Sequence, residues 1–290
     1  MKVANTWRDY EIIDASNGLK LERWGSVYLL RPDPQIIWDN GDLLKKYKDK
    51  IHAVYYRSNS GGGHWENLKP IPSSWTINYN DLVFNIKQMG FKHTGLFPEQ
   101  AINWDYMISK IENSKRKIKV LNLFAYTGGA TVACLKAGAS VVHVDSSRGM
   151  IDWCKENVKS SGYIDSDIRY LVDDVVKFVK REIRRGNKYD AIIMDPPSYG
   201  RGSNGEVWNI EKDLKGLVEL CTQILSDDPL FFLINSYTTG LSSTVLSNLL
   251  TLTVNKKYVG TISCGEIGLP IKNSKLILPC GIYGRWENNE

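Results

Sequence analysis

The chain has 290 residues, of which 42% are hydrophobic and 24% charged, and 37 basic residues against 32 acidic ones give a net charge of +5. This composition excludes a disordered chain, because it supplies enough apolar surface to offset the entropy lost on ordering. Apolar runs such as residues 230–234 have the length of a strand, so no transmembrane segment is expected, and the first residues show no secretory signal. The mild basic excess permits an anionic partner such as RNA but does not establish one.

The cysteines and histidines indicate a reduced protein without a bound metal. Five cysteines form no CxxC pair, which favours reduced thiols and a cytoplasmic location over a disulfide framework. The four histidines are scattered along the chain. No Cys/His spacing resembles a zinc site, so we expect no metal.

The first 90 residues predict a small, mostly β domain. Six of the nine tryptophans lie within the first 104 residues, where helical periodicity is weak and turn signals such as Asn17-Gly18 are frequent. Short runs at 26–30 and 53–56 are typical of strands joined by turns. We therefore predict one domain over residues 1–90 and a second over 91–290.

From about residue 118 the sequence alternates strands with helices. Strands are predicted at 119–124, 140–144, 168–172, 189–194 and 230–235. Helices are predicted from the glycines at 128–129 through Ala137 and at 148–159, 174–185 and 210–225. This alternation predicts a doubly wound α/β fold, with a parallel sheet covered on both faces.

In such a fold, ligands bind at the carboxyl ends of the strands, so the turns after the strands are candidate sites. The first turn runs from Phe124 through Ala125, Tyr126, Thr127 and Gly128 to Gly129 and Ala130. Its small residues allow the backbone to approach a ligand, and the following helix offers free amides to an anionic group. A plain tight turn is the alternative interpretation.

Carboxylates follow the next two strands. Asp145 could accept hydrogen bonds from both hydroxyls of a ribose, whereas Asp145, Ser146 or Ser147 could equally cap the next helix, and both roles can coexist. In the third turn, one of Asp173 and Asp174 could accept from the amine of an adenine while the other caps a helix. The sequence does not assign these two roles.

The three turns together indicate a cofactor that contains adenosine. The GxGxxG pattern of nicotinamide enzymes is absent, which favours a methyl donor over a dinucleotide. The fourth strand ends in Asp195-Pro196-Pro197-Ser198-Tyr199-Gly200. Its prolines lack amide donors and leave carbonyls free to face a substrate, Asp195 could orient a group beside the methyl, and Tyr199 could stack on a planar base. A rigid structural loop is the alternative.

The combined motifs resemble a known family. From GLFPEQ, which begins at Gly95, through VLNLFAYTGGAT, VVHVDSS, the Asp173-Asp174 turn and DPPSYGRG, the sequence is similar to class I S-adenosylmethionine (SAM)-dependent methyltransferases with a Rossmann-like sheet. More narrowly, it resembles the bacterial large-subunit rRNA cytosine carbon-5 methyltransferases and their shorter relatives. The resemblance implies SAM as cofactor and a nucleobase of RNA, in particular rRNA, as acceptor. A protein or small-molecule acceptor, or a noncatalytic RNA-binding or assembly protein, is the alternative.

The resemblance also implies roles for individual residues. The catalytic set would be Asp195, Pro196 and Tyr199, and Ser198, Tyr199 and Arg201 would contact the substrate. Residues that would bind the cofactor are Phe97, Glu99, Gln100, Asn122, Phe124, Ala125, Tyr126, Thr127, Gly128, Gly129, Asp145, Ser146, Asp173, Asp174, Asp195 and Pro197.

One departure from the narrower group concerns the nucleophile. Those enzymes place a cysteine just after the fifth strand, where this chain has Tyr237. Carbon 5 of cytosine reacts only after a thiolate adds to carbon 6, whereas amine or oxygen methylation needs no thiol. Three cysteines fall in predicted helices, and Cys264 and Cys280 remain candidates. The methylated atom is left open.

A basic cluster follows the third strand. Lys180, Arg181, Arg184 and Arg185 lie on the predicted helix 174–185, where they could contact phosphates or form a solvated helix face.

Overall fold

The structure is a computed structural model that describes residues 1–58, 62–201, 205 and 207–289. The strands are β1 Lys2–Val3, β2 Tyr10–Ser16, β3 Leu19–Trp24, β4 Val27–Pro32, β5 Ala53–Arg57, β6 Gly63–Asn67, β7 Trp75–Tyr79, β8 Leu82–Ile86, β9 Lys119–Leu123, β10 Ser140–Asp145, β11 Ile168–Val172, β12 Ala191–Met194, β13 Tyr199–Arg201, β14 Val207–Asn209, β15 Phe231–Ser236, β16 Gly260–Pro270 and β17 Ile277–Asn288. The helices are α1 Leu43–Lys46, α2 Ala101–Asn113, α3 Gly129–Lys136, α4 Arg148–Ser160, α5 Val175–Arg185, α6 Ile210–Gln223, α7 Ser243–Leu252 and α8 Val254–Lys257, and a 3-10 turn spans Pro98–Gln100.

The chain divides into two compact units. The parallel-sheet unit contains Met1–Lys2, Ile102–Ile267 and Gly281–Glu290, and the N-terminal unit contains Val3–Ala101 and Gly268–Cys280. The predicted domain boundary at residue 90 stays a prediction.

The N-terminal unit is built on a five-stranded sheet. Its strand order is β2-β3-β4-β5-β6, with β4 and β5 parallel and the other neighbours antiparallel, and β7 pairs with β8 in a separate two-stranded sheet. A buried ion pair joins two strands: Arg31 Nη2 donates to Glu22 Oε1 over 2.7 Å. Burial raises the pKa of Glu22, but the opposite effect of Arg31 and Lys20 is larger, so the pKa falls to about 2. The small N-terminal β domain is confirmed.

The parallel-sheet unit confirms the predicted α/β fold. Its sheet has the order β1-β16-β17-β15-β12-β9-β10-β11, and β15, β12, β9, β10 and β11 run parallel. Every residue of β12 and β15 is buried, as expected of strands that are covered on both faces. The strand β17 pairs antiparallel with β15.

The helices of this unit begin where polar side chains satisfy free backbone amides. Ser147, Asp174, Asn209 and Ser242 each accept a hydrogen bond from an amide in the first turn of α4, α5, α6 and α7. The helix α5 ends at Gly186, whose φ of 69° is the left-handed conformation that favours glycine there. Among the described residues, no helix has the length and apolar character needed to cross a membrane.

Candidate active site

The parallel strands end level with one another. Leu123, the last residue of β9, lies opposite Val144 of β10 and Met194 of β12. The strands β10 and β11 extend one residue beyond this level, and β15 extends two residues beyond it. In the strand order, the chain passes from β9 to β10 in one direction and from β12 to β15 in the other. The end of β9 is therefore the switch point, where such folds bind ligands. The four turns singled out in the sequence therefore begin at one edge of the sheet.

The first turn holds unusual backbone conformations. Phe124 and Tyr126 have φ values of 53° and 52°, and Gly128 has 83°. A residue with a Cβ is disfavoured in this region, by about 1–2 kcal/mol, and such conformations cluster at functional sites. The amide of Tyr126 donates to Asp145 Oδ2 over 2.8 Å, so the first turn is joined to the second.

The two glycines of this turn are packed so closely against neighbouring side chains that a Cβ atom would not fit. A Cβ on Gly128 would lie 2.2 Å from Sγ of Cys154, and a Cβ on Gly129 would lie 2.8 Å from the ring of Trp104. The start of α3 is thus packed tightly against α4 and α2. From the sequence, we attributed these glycines to the close approach of a ligand. Their packing requirement was not predicted.

A network of buried polar side chains stabilises the first turn and the start of α3. Asn122 Nδ2 donates to Thr131 Oγ1 over 3.0 Å, and Thr131 Oγ1 lies 2.8 Å from Nδ1 of His143. Burial lowers the pKa of His143 to about 3, so its imidazole is neutral at pH 7. Asn157 Nδ2 donates to the carbonyl of Thr127 over 2.8 Å. Sequence reasoning did not identify Thr131, His143 or Asn157. For His143 the available signal was a polar residue in the middle of an apolar strand, whereas Thr131 and Asn157 lie on α3 and α4 and have no such signal.

Asp145 connects two turns through both of its carboxylate oxygens. Its Oδ2 accepts from Tyr126, and its Oδ1 accepts from the amide of Ser147 over 2.8 Å. Burial raises the pKa of Asp145, while these two amides act in the opposite direction. An ionised carboxylate offers about four acceptor positions, so capacity for two hydroxyl donors remains. Ser147 caps α4, and Ser146 is exposed beside it.

In the third turn the structure assigns the helix cap. Asp174 Oδ1 accepts from the amide of Lys177 over 2.8 Å and caps α5. Asp173 forms an ion pair with Arg181, and its amide donates to the carbonyl of Asp145 over 3.0 Å. The predicted contact of Asp174 with an adenine amine would therefore use its second oxygen, and both cofactor roles stay predictions.

The fourth turn, termed the Asp-Pro-Pro loop (residues 195–198), leads into a hairpin. After it, β13 pairs antiparallel with β14, and Gly200 lies opposite Trp208. Trp208 Nε1 donates to the carbonyl of Pro197 over 2.7 Å, and the amide of Ile210 donates to the carbonyl of Ser198 over 3.1 Å. The expectation that the proline carbonyls are free to face a substrate is therefore wrong for Pro197. Trp208, which sequence reasoning missed, holds this loop in place.

Trp208 also contacts the first turn. Its ring centroid lies 5.1 Å from that of Phe124, with the two planes tilted by 56°. Ser198 Oγ lies 2.7 Å from Oγ1 of Thr238, which follows β15. The Asp-Pro-Pro loop is therefore joined to the turns after β9 and β15, while Asp195 is half-buried and Pro196 is buried at the end of β12.

A sequence profile of the S-adenosylmethionine-dependent methyltransferases matches residues 44–242, which is more than half of the chain. The chain belongs to this family. This SAM-dependent methyltransferase is 26% identical over 269 residues to the ribosomal RNA large subunit methyltransferase K of Neisseria meningitidis, an alignment that covers 89% of this chain and 72% of the relative. It is 33% identical over 184 residues to the ribosomal RNA large subunit methyltransferase I of Photobacterium profundum, covering 60% of this chain and 45% of that protein.

Solved structures agree with this assignment. The SAM-dependent methyltransferase from Agrobacterium tumefaciens has a TM-score of 0.91 and 32% identity, and the match covers 99% of this chain and 93% of that one. A methyltransferase structure in complex with S-adenosylhomocysteine (SAH) has a TM-score of 0.71 at 18% identity, covering 97% of this chain and 76% of the other, which shows a shared fold.

The cofactor of the methyltransferase is SAM, and the strand ends fit it. Asp145 retains acceptor positions for a ribose, and the first turn and the start of α3 present backbone beside it. When bound, SAM supplies an electrophilic methyl group on a sulfonium. The assignment of individual cofactor contacts stays a prediction. Among the residues that the structure describes, no group of three or more metal-ligating side chains occurs.

The remaining predicted residues lie in two places. Tyr199 and Arg201 are exposed on β13, and Arg201 Nε donates to the hydroxyl of Tyr199 over 3.1 Å. Phe97, Glu99 and Gln100 belong to the N-terminal unit, at the 3-10 turn before α2, and the last two are buried there. Their proposed cofactor contacts stay predictions.

The cysteines of the helices are unsuited to nucleophilic attack. Cys134, Cys154 and Cys221 are buried in α3, α4 and α6, and burial raises the pKa of each thiol well above its usual range. At the position after β15, Tyr237 packs on β17, where a Cβ on Gly281 would lie 2.9 Å from its ring. A thiolate from any of these helical positions is therefore excluded at neutral pH.

Proposed function

We propose that this methyltransferase modifies a nucleobase of RNA, in particular of ribosomal RNA, at a nitrogen or oxygen atom that carries its own lone pair. The observation that carries this proposal is the exposed segment after β12. There, Tyr199 is 52% exposed four residues after the half-buried Asp195, and Arg201 follows on the same strand. An exposed aromatic ring stacks on bases of any sequence, and an arginine beside it suits a backbone phosphate.

The names of the relatives support RNA as the acceptor. The Neisseria and Photobacterium proteins are both ribosomal RNA large subunit methyltransferases. An rRNA acceptor places the enzyme in the cytoplasm, which agrees with five cysteines that are all unpaired in the structure.

The cysteines support an acceptor atom with its own lone pair. Carbon 5 of a pyrimidine requires a thiolate nucleophile, and the three helical thiols are buried and protonated. A ring nitrogen or an exocyclic amine needs only a lone pair directed at the methyl, so orientation supplies most of the catalysis. Asp195 would accept a hydrogen bond from the base and fix that orientation, and Tyr199 would hold the plane of the ring.

Nucleoside mass spectrometry of ribosomal RNA from a strain that lacks the gene tests the proposal. We expect one methylated nucleoside, methylated at nitrogen or oxygen, to disappear and to return when the wild-type gene is restored. The Asp195→Ala variant should not restore it, whereas Asp165→Ala, an exposed acid in the turn after α4, should. Retention of every methyl mark in the deletion strain would contradict RNA as the acceptor. Restoration by Asp195→Ala would contradict the assigned role of that residue.

A further inference from the structure

A groove of about 600 Å³ runs between α5 and α6. It begins at Asp174, in the turn after β11, and follows α5 to Lys180 and α6 to Leu220. Its volume is within the range of about 300–1,000 Å³ that is typical of ligand sites. The lining residues are Asp174, Val176, Lys177, Lys180, Val207, Trp208, Lys212, Asp213, Gly216, Leu217 and Leu220.

The charges at the rim favour an anion. Three lysines line the groove against two aspartates, and both aspartates are occupied by backbone amides. Asp174 accepts from Lys177 at the start of α5, and Asp213 Oδ2 accepts from the amide of Asn209 over 2.7 Å. Lys180 and Lys212 are exposed on opposite walls, one on each helix. A phosphate that enters the groove would meet both ammonium groups.

The interior of the groove suits a flat, largely apolar group. Leu217 and Leu220 form part of one wall, and the half-buried indole of Trp208 also lines the groove. Gly216 stands in the middle of α6, and a Cβ built on it meets no atom within 4 Å. Glycine inside a helix lowers the stability of the helix relative to alanine. Because no neighbouring atom requires a glycine here, its effect is to leave space open in the groove.

Trp208 connects the groove to the candidate active site. The same indole that lines the groove donates to the carbonyl of Pro197 and contacts Phe124. A ligand stacked on Trp208 would therefore lie one side chain away from the Asp-Pro-Pro loop. A single-stranded nucleic acid combines planar bases with phosphates, and RNA is the acceptor proposed above.

We infer that the groove between α5 and α6 binds a nucleotide of the RNA substrate that neighbours the methylated one, with its base against Trp208 and its phosphates beside Lys180 and Lys212. This inference rests on the proposed function, because it takes RNA as the acceptor. It assigns to the substrate a second contact surface, away from the exposed strand that carries Tyr199.

Fluorescence anisotropy with a labelled single-stranded RNA 20-mer of mixed sequence tests the inference, in the presence of saturating SAH and at several KCl concentrations. The double variant Lys180→Gln/Lys212→Gln removes two phosphate contacts. We expect the slope of log K against log salt to become shallower by about 1.4, and affinity at 0.1 M KCl to fall about 25-fold. Lys215→Gln, on the same helix but outside the groove, should change binding less than about 3-fold.

A second variant tests the space in the groove without changing charge. Gly216→Gln should weaken RNA binding about 10-fold, whereas Gly216→Ala should bind as the wild type does. All four variants should keep wild-type affinity for SAH, because none of them changes Asp174, the groove residue that also has a predicted cofactor contact. A loss of SAH affinity in the double variant would overturn the inference. It would also be overturned if two copies of the protein associated and Gly216→Gln abolished that association, because the groove would then bind a second copy of the chain.

The two proposals fail in distinguishable ways. If the wild type methylates rRNA and the double variant binds the RNA 20-mer as Lys215→Gln does, the groove assignment is wrong and RNA remains the acceptor. If the wild type neither binds the RNA nor transfers a methyl group to rRNA, both proposals are wrong.

Discussion

Substitution of Gly128 by alanine tests how the first turn is built. At φ 83° a Cβ costs about 1–2 kcal/mol, and the same Cβ would lie 2.2 Å from Sγ of Cys154, an overlap that costs about 1–3 kcal/mol more. We expect Gly128→Ala to lower the free energy of unfolding by about 2–5 kcal/mol in urea denaturation. Gly138→Ala is the matched control, because Gly138 has φ 85° and no atom within 4 Å of its built Cβ. It should show the conformational cost alone, about 1–2 kcal/mol.

A double-mutant cycle isolates the contact with Cys154. In Gly128→Ala/Cys154→Ala the sulfur is gone, and the nearest remaining atom, Cβ of residue 154, lies 3.1 Å away. The double variant should therefore be more stable than the sum of the single effects predicts, by about 1–3 kcal/mol. Additivity of the two substitutions within about 0.5 kcal/mol, or equal losses in Gly128→Ala and Gly138→Ala, would refute the packing explanation.

Three further predictions concern single residues. Asp145→Asn should weaken SAH binding in calorimetry by about 10- to 100-fold, because hydrogen bonds to a charged group are worth about 1.5–3 kcal/mol each; unchanged affinity would remove Asp145 from the site. Glu22, with a pKa lowered from 4.5 to about 2 in the folded state, stabilises the protein above pH 4.5 and loses this contribution as pH falls towards 2. Urea midpoints of the wild type should therefore fall across this window more steeply than those of Glu22→Gln, and parallel curves would contradict the ion pair with Arg31. Cys264→Ser and Cys280→Ser should each keep methyl transfer to rRNA within about 3-fold, and loss of activity in either would point to a thiol nucleophile.

Most of the parallel sheet could be predicted because its strands are short, mainly apolar runs that are separated by segments of helical periodicity. The run at 168–172 was predicted with the bounds that β11 has, and the other parallel strands differ by one or two residues at their ends. Polar residues directly after these strands marked the turns. The parallel arrangement then required these turns to share one edge of the sheet.

The hairpin after the Asp-Pro-Pro loop could not be predicted in the same way. The strands β13 and β14 have three residues each, too few for a pattern of alternation to emerge. Their register depends on a contact between residues that are distant in sequence, the bond from Trp208 to the carbonyl of Pro197. The same limit applies to the return of residues 268–280 to the N-terminal unit, since no local signal marks a segment that joins an earlier part of the chain.

Within the candidate site, residue types were predicted better than their partners. A carboxylate at the end of β10 was correctly placed, but the bond that it accepts from the amide of Tyr126 depends on the left-handed conformations of the first turn. Likewise, the choice between Asp173 and Asp174 as helix cap depends on their partners, because Asp174 accepts from the amide of Lys177 whereas Asp173 pairs with Arg181 in the second turn of α5. The spacing in the sequence allowed either arrangement.

A crystal structure of the protein with SAH tests the central claim, that the ends of β9, β10, β11 and β12 form one cofactor site. We predict that a single SAH molecule lies across these strand ends, with ribose hydroxyls within about 3 Å of the Asp145 carboxylate and the adenine at the Asp174 turn. Its sulfur should face the Asp-Pro-Pro loop. Clear density for SAH elsewhere, with the Asp145 carboxylate remote from the ribose, would contradict it.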